Sequence, residues 1–290
     1  MHLSNPAFIF HREKFILRNP EANIVAFEEK SAKIFFSRYQ QSLISLDASP
    51  FGSFVTDRPI RKDDLLTCLS KVEEWSNEHG ITAVWIRSFP DAYHPEFAKL
   101  IKDALLEFSF RVMYEDISQI IDVKHDGLLE LDPHKKRRLR NSISRGFEFR
   151  TVSSDFLAES YSLIVQSREN KGYPVTMSLS LLQKMFELFP NDYLLFGIFD
   201  QKQIIASSVC IKVSDKIMYC FYLGDDIEYR KYSPVTSLVK GIYEFCKLHN
   251  FSLLDLGVST EKGILNDGLY IFKKTFGTVD SLKLTFVKEF

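Results

Sequence analysis

Two charged side chains stand where charge is expensive. Asp255 lies inside the apolar run Leu253-Leu254-Asp255-Leu256-Gly257, and Lys273 follows Phe272 in a segment closing at Phe276-Gly277. A carboxylate or ammonium among apolar neighbours costs free energy unless it has a partner, so each position asks for a reason. A fixed cation can hold the negative charge that grows on a carbonyl oxygen under attack. A nearby carboxylate could orient that cation, accept a nucleophile's proton, or cap the loop that follows. Upstream, Tyr222-Leu223-Gly224-Asp225-Asp226 ends another apolar run. Asp225, Asp226 and Glu228 are candidates for a general base, which acts within about 3 Å of the amine or through one water. The same acids would also suit a solvated loop.

Basic residues suggest where an anion could sit. Between 135 and 145 stand Lys135, Lys136, Arg137, Arg138, Arg140 and Arg145, with no acid among them. On a helix over about 133–145, Lys135, Arg138, Ser142 and Arg145 share a face beside the apolar Leu139 and Ile143. Such a face either binds phosphate or is a solvated connector. A second basic pair, Arg230 and Lys231, precedes Tyr232-Ser233-Pro234 at a helix start. There Ser233 offers a hydroxyl N-cap and Pro234 the favoured first helical position, and the helix N-terminus is an anion site. The seven histidines form no metal-spaced pair and no serine–histidine–acid set is legible, so no metal site is expected.

The elements that must position these groups follow from hydrophobic spacing. In the first half, residues 22–27, 34–37 and 42–46 read as strands, 63–78 as a helix stopped at His79-Gly80, 83–87 as a strand, 95–108 as a helix and 111–123 as a strand. In the second half, 193–199, 204–213 and 217–223 read as a meander, 234–249 as a helix, 251–256 as a strand, 269–276 as a short helix and 282–288 as a strand. Helices over 156–169 and 180–189 precede that meander. The halves superpose in order: His79-Gly80 falls on His249-Asn250, 170 positions on, and Phe108 on Phe276, 168 positions on. A repeat of this size predicts two similar α/β domains, 1–125 and 126–290. By the same offsets the counterparts of Asp255 and Lys273 are Trp85 and Leu105, so only the second half is equipped for chemistry.

Composition bounds the function. With 290 residues, 45% of them apolar, the chain can bury a sizeable core, and its net charge of −1 confines any polyanion site to a local patch. Cys68, Cys210, Cys220 and Cys246 form no C-x-x-C pair and read as reduced, buried thiols. No apolar run approaches the roughly 20 residues of a membrane span, so a soluble cytoplasmic protein is expected.

The stretch 252–277, SLLDLGVSTEKGILNDGLYIFKKTFG, resembles the C-terminal signature of the FemABX-like branch of the GNAT acyltransferases. Tyr232-Ser233-Pro234, and the basic helix followed by Gly146 and a strand, resemble further family features. Ser167-Arg168-Glu169-Asn170-Lys171-Gly172-Tyr173 resembles another, with Asn170 where an arginine would stand. The resemblance implies two tandem GNAT-like domains, each a mixed sheet flanked by helices. It implies an N-acyltransferase, with acyl-coenzyme A as donor and an amino sugar or peptide amine as acceptor. An aminoacyl-tRNA donor with a peptidoglycan precursor as acceptor is the alternative, and a non-catalytic binding module a third. In this reading Lys273, Asp255, Tyr222 and Asp225 do the chemistry. Phe272, Arg230, Lys231, Tyr232, Ser233, Arg138, Arg145 and Arg168 hold the substrates. Two departures stand out: the 226–233 loop lacks the R-x-x-G-x-G/A run that cradles coenzyme A, and no stretch suits the helical arm of the tRNA-using ligases.

Overall fold

The computed structural model describes residues 8–19, 22–46, 48–56 and 58–290. A single-turn helix α1 (Glu13–Ile16) precedes a meander of β1 (Ile24–Glu29), β2 (Ala32–Tyr39) and β3 (Ser42–Ser45). Then come α2 (Lys62–Glu78), β4 (Ala83–Arg87), α3 (Pro95–Glu107) and β5 (Arg111–Asp122). The middle of the chain holds α4 (Pro133–Ser144), β6 (Glu148–Val152), α5 (Leu157–Glu169) and α6 (Leu179–Leu188). A second meander follows, β7 (Tyr193–Asp200), β8 (Gln203–Ser214) and β9 (Ile217–Asp225), then α7 (Pro234–Leu248) and β10 (Leu253–Val258). A two-residue hairpin, β11 (Thr260–Glu261) and β12 (Ile264–Leu265), leads to α8 (Asp267–Lys274) and β13 (Val279–Glu289). The fold is mixed α/β, and both halves run meander, helix, strand, helix, strand.

Local chemistry sets the helix ends. Asp132 takes the His134 and Lys135 N–H groups at 2.8 and 3.3 Å and so caps α4. Gly80, at φ +66°, follows α2 as the sequence predicts. At α7 the expectation fails in detail. Ser233 is the N-cap residue, but it is left-handed, at φ 56° and ψ 50°, and its hydroxyl makes no capping bond. A capping hydroxyl works from an extended N-cap backbone, which the preceding turn at Arg230–Tyr232 denies it. The short helix also begins two residues earlier, at Asp267, and ends at Lys274 rather than Phe276.

Two compact units divide the chain, and they are not contiguous in sequence. One comprises Met1–Ser118, Val258–Asn266 and Asp280–Phe290; the other Gln119–Gly257 and Asp267–Val279. In the first, the strand order is β1-β2-β3-β4-β13-β5. Its β13 pairs antiparallel with β4, from Thr285 opposite Arg87 to Glu289 opposite Ala83. The strand that ends the second half of the sequence therefore completes the first unit's sheet, a membership that a division at 125/126 does not give. Phe8, Phe10, Phe51, Phe89 and Tyr93 form an edge-to-face cluster in this unit's core.

In the second unit the order is β10-β9-β8-β7-β6, with the end of β5 beside β10. Its core joins the inner faces of these strands (Phe196, Ile205, Met218, Leu254) to the α7 stripe of Leu238, Val239, Ile242 and Cys246. That stripe has the spacing an amphipathic helix needs to bury one face. All four cysteines are free and buried. No helix among the described residues is long and apolar enough to cross a membrane.

Candidate functional site

The site grows from the place where two strands of the second unit stop pairing. β10 runs parallel to β9, with Leu253 opposite Ile217, Leu254 opposite Met218 and Asp255 opposite Tyr219. There the pairing ends, while β9 continues to Asp225 along β8. Gly257 sits two residues past the last paired position at φ +79°, where a side chain would be strained. A Cβ at Gly257 would also lie 3.3 Å from the Tyr219 ring.

The Gly257 peptide groups are clamped from both sides. Its N–H donates to Asp255 Oδ1 at 2.6 Å, and its carbonyl accepts from Lys273 Nζ at 2.8 Å. Asp255 is 1% exposed and Lys273 6%. The two charges singled out in the sequence thus meet at one glycine, one at a strand end and the other from α8. Gln119 Nε2 steadies α8 by donating to the Tyr270 carbonyl at 3.2 Å and to Thr278 Oγ1 at 3.3 Å. Burial, with a smaller contribution from Arg168, lowers the Lys273 ammonium from its ordinary 10.5 to about 8, against the pull of the Asp255 carboxylate. At neutral pH it is still mostly a cation, fixed in a low-dielectric setting. Burial, then the Asp255 charge, pushes the Tyr219 phenol up.

Other predicted residues are brought together in a different way. Asp225 is buried and its carboxylate is crowded with donors. Arg230 reaches it through Nε and Nη2, both at 3.2 Å, Ser167 Oγ at 2.9 Å, and Lys171 Nζ at 3.6 Å. Arg230, Ser167 and Lys171 thus converge on this one carboxylate, and Arg230 is turned to it. The Tyr222 hydroxyl accepts the backbone N–H groups of Thr176 and Met177 at 3.1 and 2.9 Å and shares a bond with Thr176 Oγ1. Arg168 donates twice to the Pro174 carbonyl and lies 5.4 Å from the Tyr222 ring centroid. Asp226 Oδ1 caps the turn by accepting from the Glu228 N–H.

The basic helix divides by depth. Lys135 and Ser142 face inward, while Lys136, Arg137, Arg138, Arg140 and Arg145 are exposed. On the face that Lys135, Arg138, Ser142 and Arg145 share, Lys135 and Ser142 therefore lie at the buried edge and Arg138 and Arg145 at the exposed one, because Leu131, Lys135, Leu139 and Ser142 follow the inward spacing. None of the five exposed cations forms an ion pair with a described residue. The Arg145 guanidinium stacks 3.7 Å from the Tyr232 ring centroid, and Lys231 lies 5.0 Å from the same ring. Lys135 Nζ lies 4.3 Å from the Phe272 ring centroid and 4.8 Å from that of Phe276.

Sequence reading passed over Tyr219, Ser167, Lys171 and the inward turn of Lys135. Tyr219 carries no motif, and the 167–173 segment does not reveal that Ser167 and Lys171 reach Asp225, whereas the i, i+4, i+7 spacing of Lys135, Leu139 and Ser142 was a usable signal. Among the described residues no group of three or more histidine, cysteine or acidic side chains could hold a metal ion.

The chain matches no family model and no curated protein. Solved structures do match. FemX aligns over 100% of this chain and 97% of its own, at TM-score 0.71 and 14% identity. L-PGS from Bacillus licheniformis aligns over 99% and 93%, at TM-score 0.63 and 13% identity. The C-terminal domain of a putative lysylphosphatidylglycerol synthetase from Agrobacterium fabrum aligns over 92% and 84%, at TM-score 0.61 and 11% identity. The fold is FemX-like.

Proposed function

We propose that this protein is an acyltransferase that moves an acyl or aminoacyl group from a phosphate-bearing activated donor to an amine. The observation that carries the reading is the Asp255–Gly257–Lys273 arrangement at the point where β9 and β10 stop pairing. The acceptor nitrogen attacks the acyl carbonyl, the new C–N bond forms, and the donor's ester or thioester bond breaks. The proton released by the amine goes to solvent or to the departing group. Negative charge passes through the carbonyl oxygen, and Lys273 is a preorganised cation for it. Asp255 orders the Gly257 peptide that receives Lys273, which makes it a positioning residue.

An aminoacyl-tRNA donor is the second reading, and two observations favour it over acyl-coenzyme A. The loop before α7 has no glycine, and its Arg230 is engaged with Asp225. The five exposed cations of α4 and its C-cap, none in an ion pair with a described residue, would instead suit a longer polyanion. The likeness to FemX and to a lysylphosphatidylglycerol synthetase, whose name specifies an aminoacyl product, agrees with it.

The test is acceptor-dependent discharge of acyl-coenzyme A or aminoacyl-tRNA, after thermal-shift screening for the donor. Lys273→Met should lower kcat by about 10²–10³ with a smaller change in KM. A rise in KM at constant kcat would mean that Lys273 holds a ground-state phosphate. Unchanged kcat and KM would remove it from both roles and leave a binding module ahead.

A further inference from the structure

We infer that Lys135 is an anion-binding residue: with the Arg138 guanidinium one turn along α4, its ammonium takes the oxygens of a phosphate group. The reading of that phosphate as part of the acyl donor rests on the proposed function, but the binding does not.

The case begins with a cation that its surroundings do not explain. Lys135 is 8% exposed, and its ammonium makes no hydrogen bond or ion pair with a described residue. Its neighbours are the faces of Phe272 and Phe276, whose rings meet edge to face at 5.3 Å. Two ring faces recover part of the electrostatic loss, but they offer no acceptor to three N–H donors. A leucine or methionine would fill that slot without the cost of a buried charge.

The nearby carboxylates are engaged elsewhere. Asp132 accepts the capping N–H groups of α4, and Asp225 is held by Arg230, Ser167 and Lys171. Arg138, three residues along the helix, adds a second positive charge with no ion pair. Burial, followed by Arg138, holds the Lys135 ammonium down at about 8, against the weaker pull of Asp132 and Asp225. A multiply charged oxyanion supplies what is missing: acceptors for the ammonium and a counter-charge shared with the guanidinium. The Asp132 N–H donates to the Thr275 carbonyl at 3.0 Å, so the start of α4 and the end of α8 are already fastened together.

The experiment uses inorganic pyrophosphate as the probe and needs no turnover. In the wild-type protein, acetic anhydride labelling read by mass spectrometry should show Lys135 protected by pyrophosphate, while the exposed Lys184 on α6 is unaffected. By calorimetry at low salt, Lys135→Met and Arg138→Gln should each weaken pyrophosphate binding by about tenfold or more, the range of one charge-assisted contact. Lys273→Met should bind it as the wild type does, which separates this site from the proposed oxyanion role. Adenosine 3′,5′-bisphosphate and a short CCA-ended RNA hairpin, used as competing protectants of Lys135, distinguish a nucleotide diphosphate from a polynucleotide backbone. Labelling of Lys135 that ignores pyrophosphate overturns the inference. So does a Lys135→Met protein of native near-ultraviolet dichroism that binds the probe unchanged, or a wild type that does not bind it at millimolar concentration. If Lys135→Met does not fold, the labelling arm on the wild type still decides.

Discussion

Replacing Lys273 by methionine should change how stability depends on pH, in a direction the burial of its ammonium fixes. The folded protein holds this lysine at about 8 against its ordinary 10.5. Between those two values the unfolded chain binds the proton and the folded chain does not, so raising the pH favours the folded state. Below about 8 both states are protonated and the contribution is absent. At about 1.4 kcal/mol per pKa unit, the whole window is worth about 3 kcal/mol, of which about 2.5 is gained by pH 10. Lys135, also lowered to about 8, adds a similar slope to the wild type, so the wild-type curve alone cannot assign the effect. The difference between wild type and Lys273→Met isolates it, since methionine keeps the stem length and loses the charge. Urea unfolding at pH 7, 8, 9 and 10 would measure both proteins. The wild type should gain about 2.5 kcal/mol on the variant across that range. Parallel curves would mean that Lys273 is not held as a buried cation, and the argument for its place at the site would fall with it.

Tyr222→Phe should destabilise by about 1–3 kcal/mol, because the Thr176 and Met177 N–H groups lose their acceptor. Urea unfolding would detect this, and a neutral result would show that the 174–177 segment is held by other means. Asp225→Asn should cost about 1–3 kcal/mol, since Arg230 and Lys171 lose their counter-charge but are partly solvated. It should also leave a smaller defect in any acyl-transfer assay than Lys273→Met, and the reverse order would restore Asp225 as the base. Gly224→Ala would bring a Cβ to 2.8 Å from Ile164 Cα on α5. Strands and helix cannot both hold position, so a loss of about 1–3 kcal/mol is expected, readable as a lowered Tm.

The residues that sequence placed well are those whose role is set within a few positions. Hydrophobic spacing gave the α7 stripe, and the Asp255-x-Gly257 and Phe272-Lys273 pairs marked the segments that converge on one peptide. What sequence left open depended on partners far along the chain. Asp225 looked interchangeable with Asp226 and Glu228 because two of the residues that engage it, Ser167 on α5 and Lys171 just after that helix, stand more than fifty positions earlier. Tyr222 looked available for chemistry because nothing in its own strand reveals Thr176. Ser233 had the right side chain for a cap and the wrong backbone for it, a property fixed by the turn before it. Lys135 was hidden by its company: in a run of six cations, charge outweighed the apolar spacing that turns this one inward.

The exchange of the last strand has a consequence for how the polypeptide is made. Residues 280–290 leave the ribosome after every other element described, yet β4 of the first unit pairs with them. The second unit has all its segments once residue 279 has emerged. During vectorial synthesis the unit encoded first is therefore finished after the second, with one edge of β4 lacking its neighbour until residues 280–290 emerge. A nascent sheet with an open edge is exposed to mispairing. A ribosome-bound intermediate whose second unit resists protease before its first does is the kinetic signature of this topology. For the same reason, a fragment that stops at residue 125 lacks a strand of its own sheet.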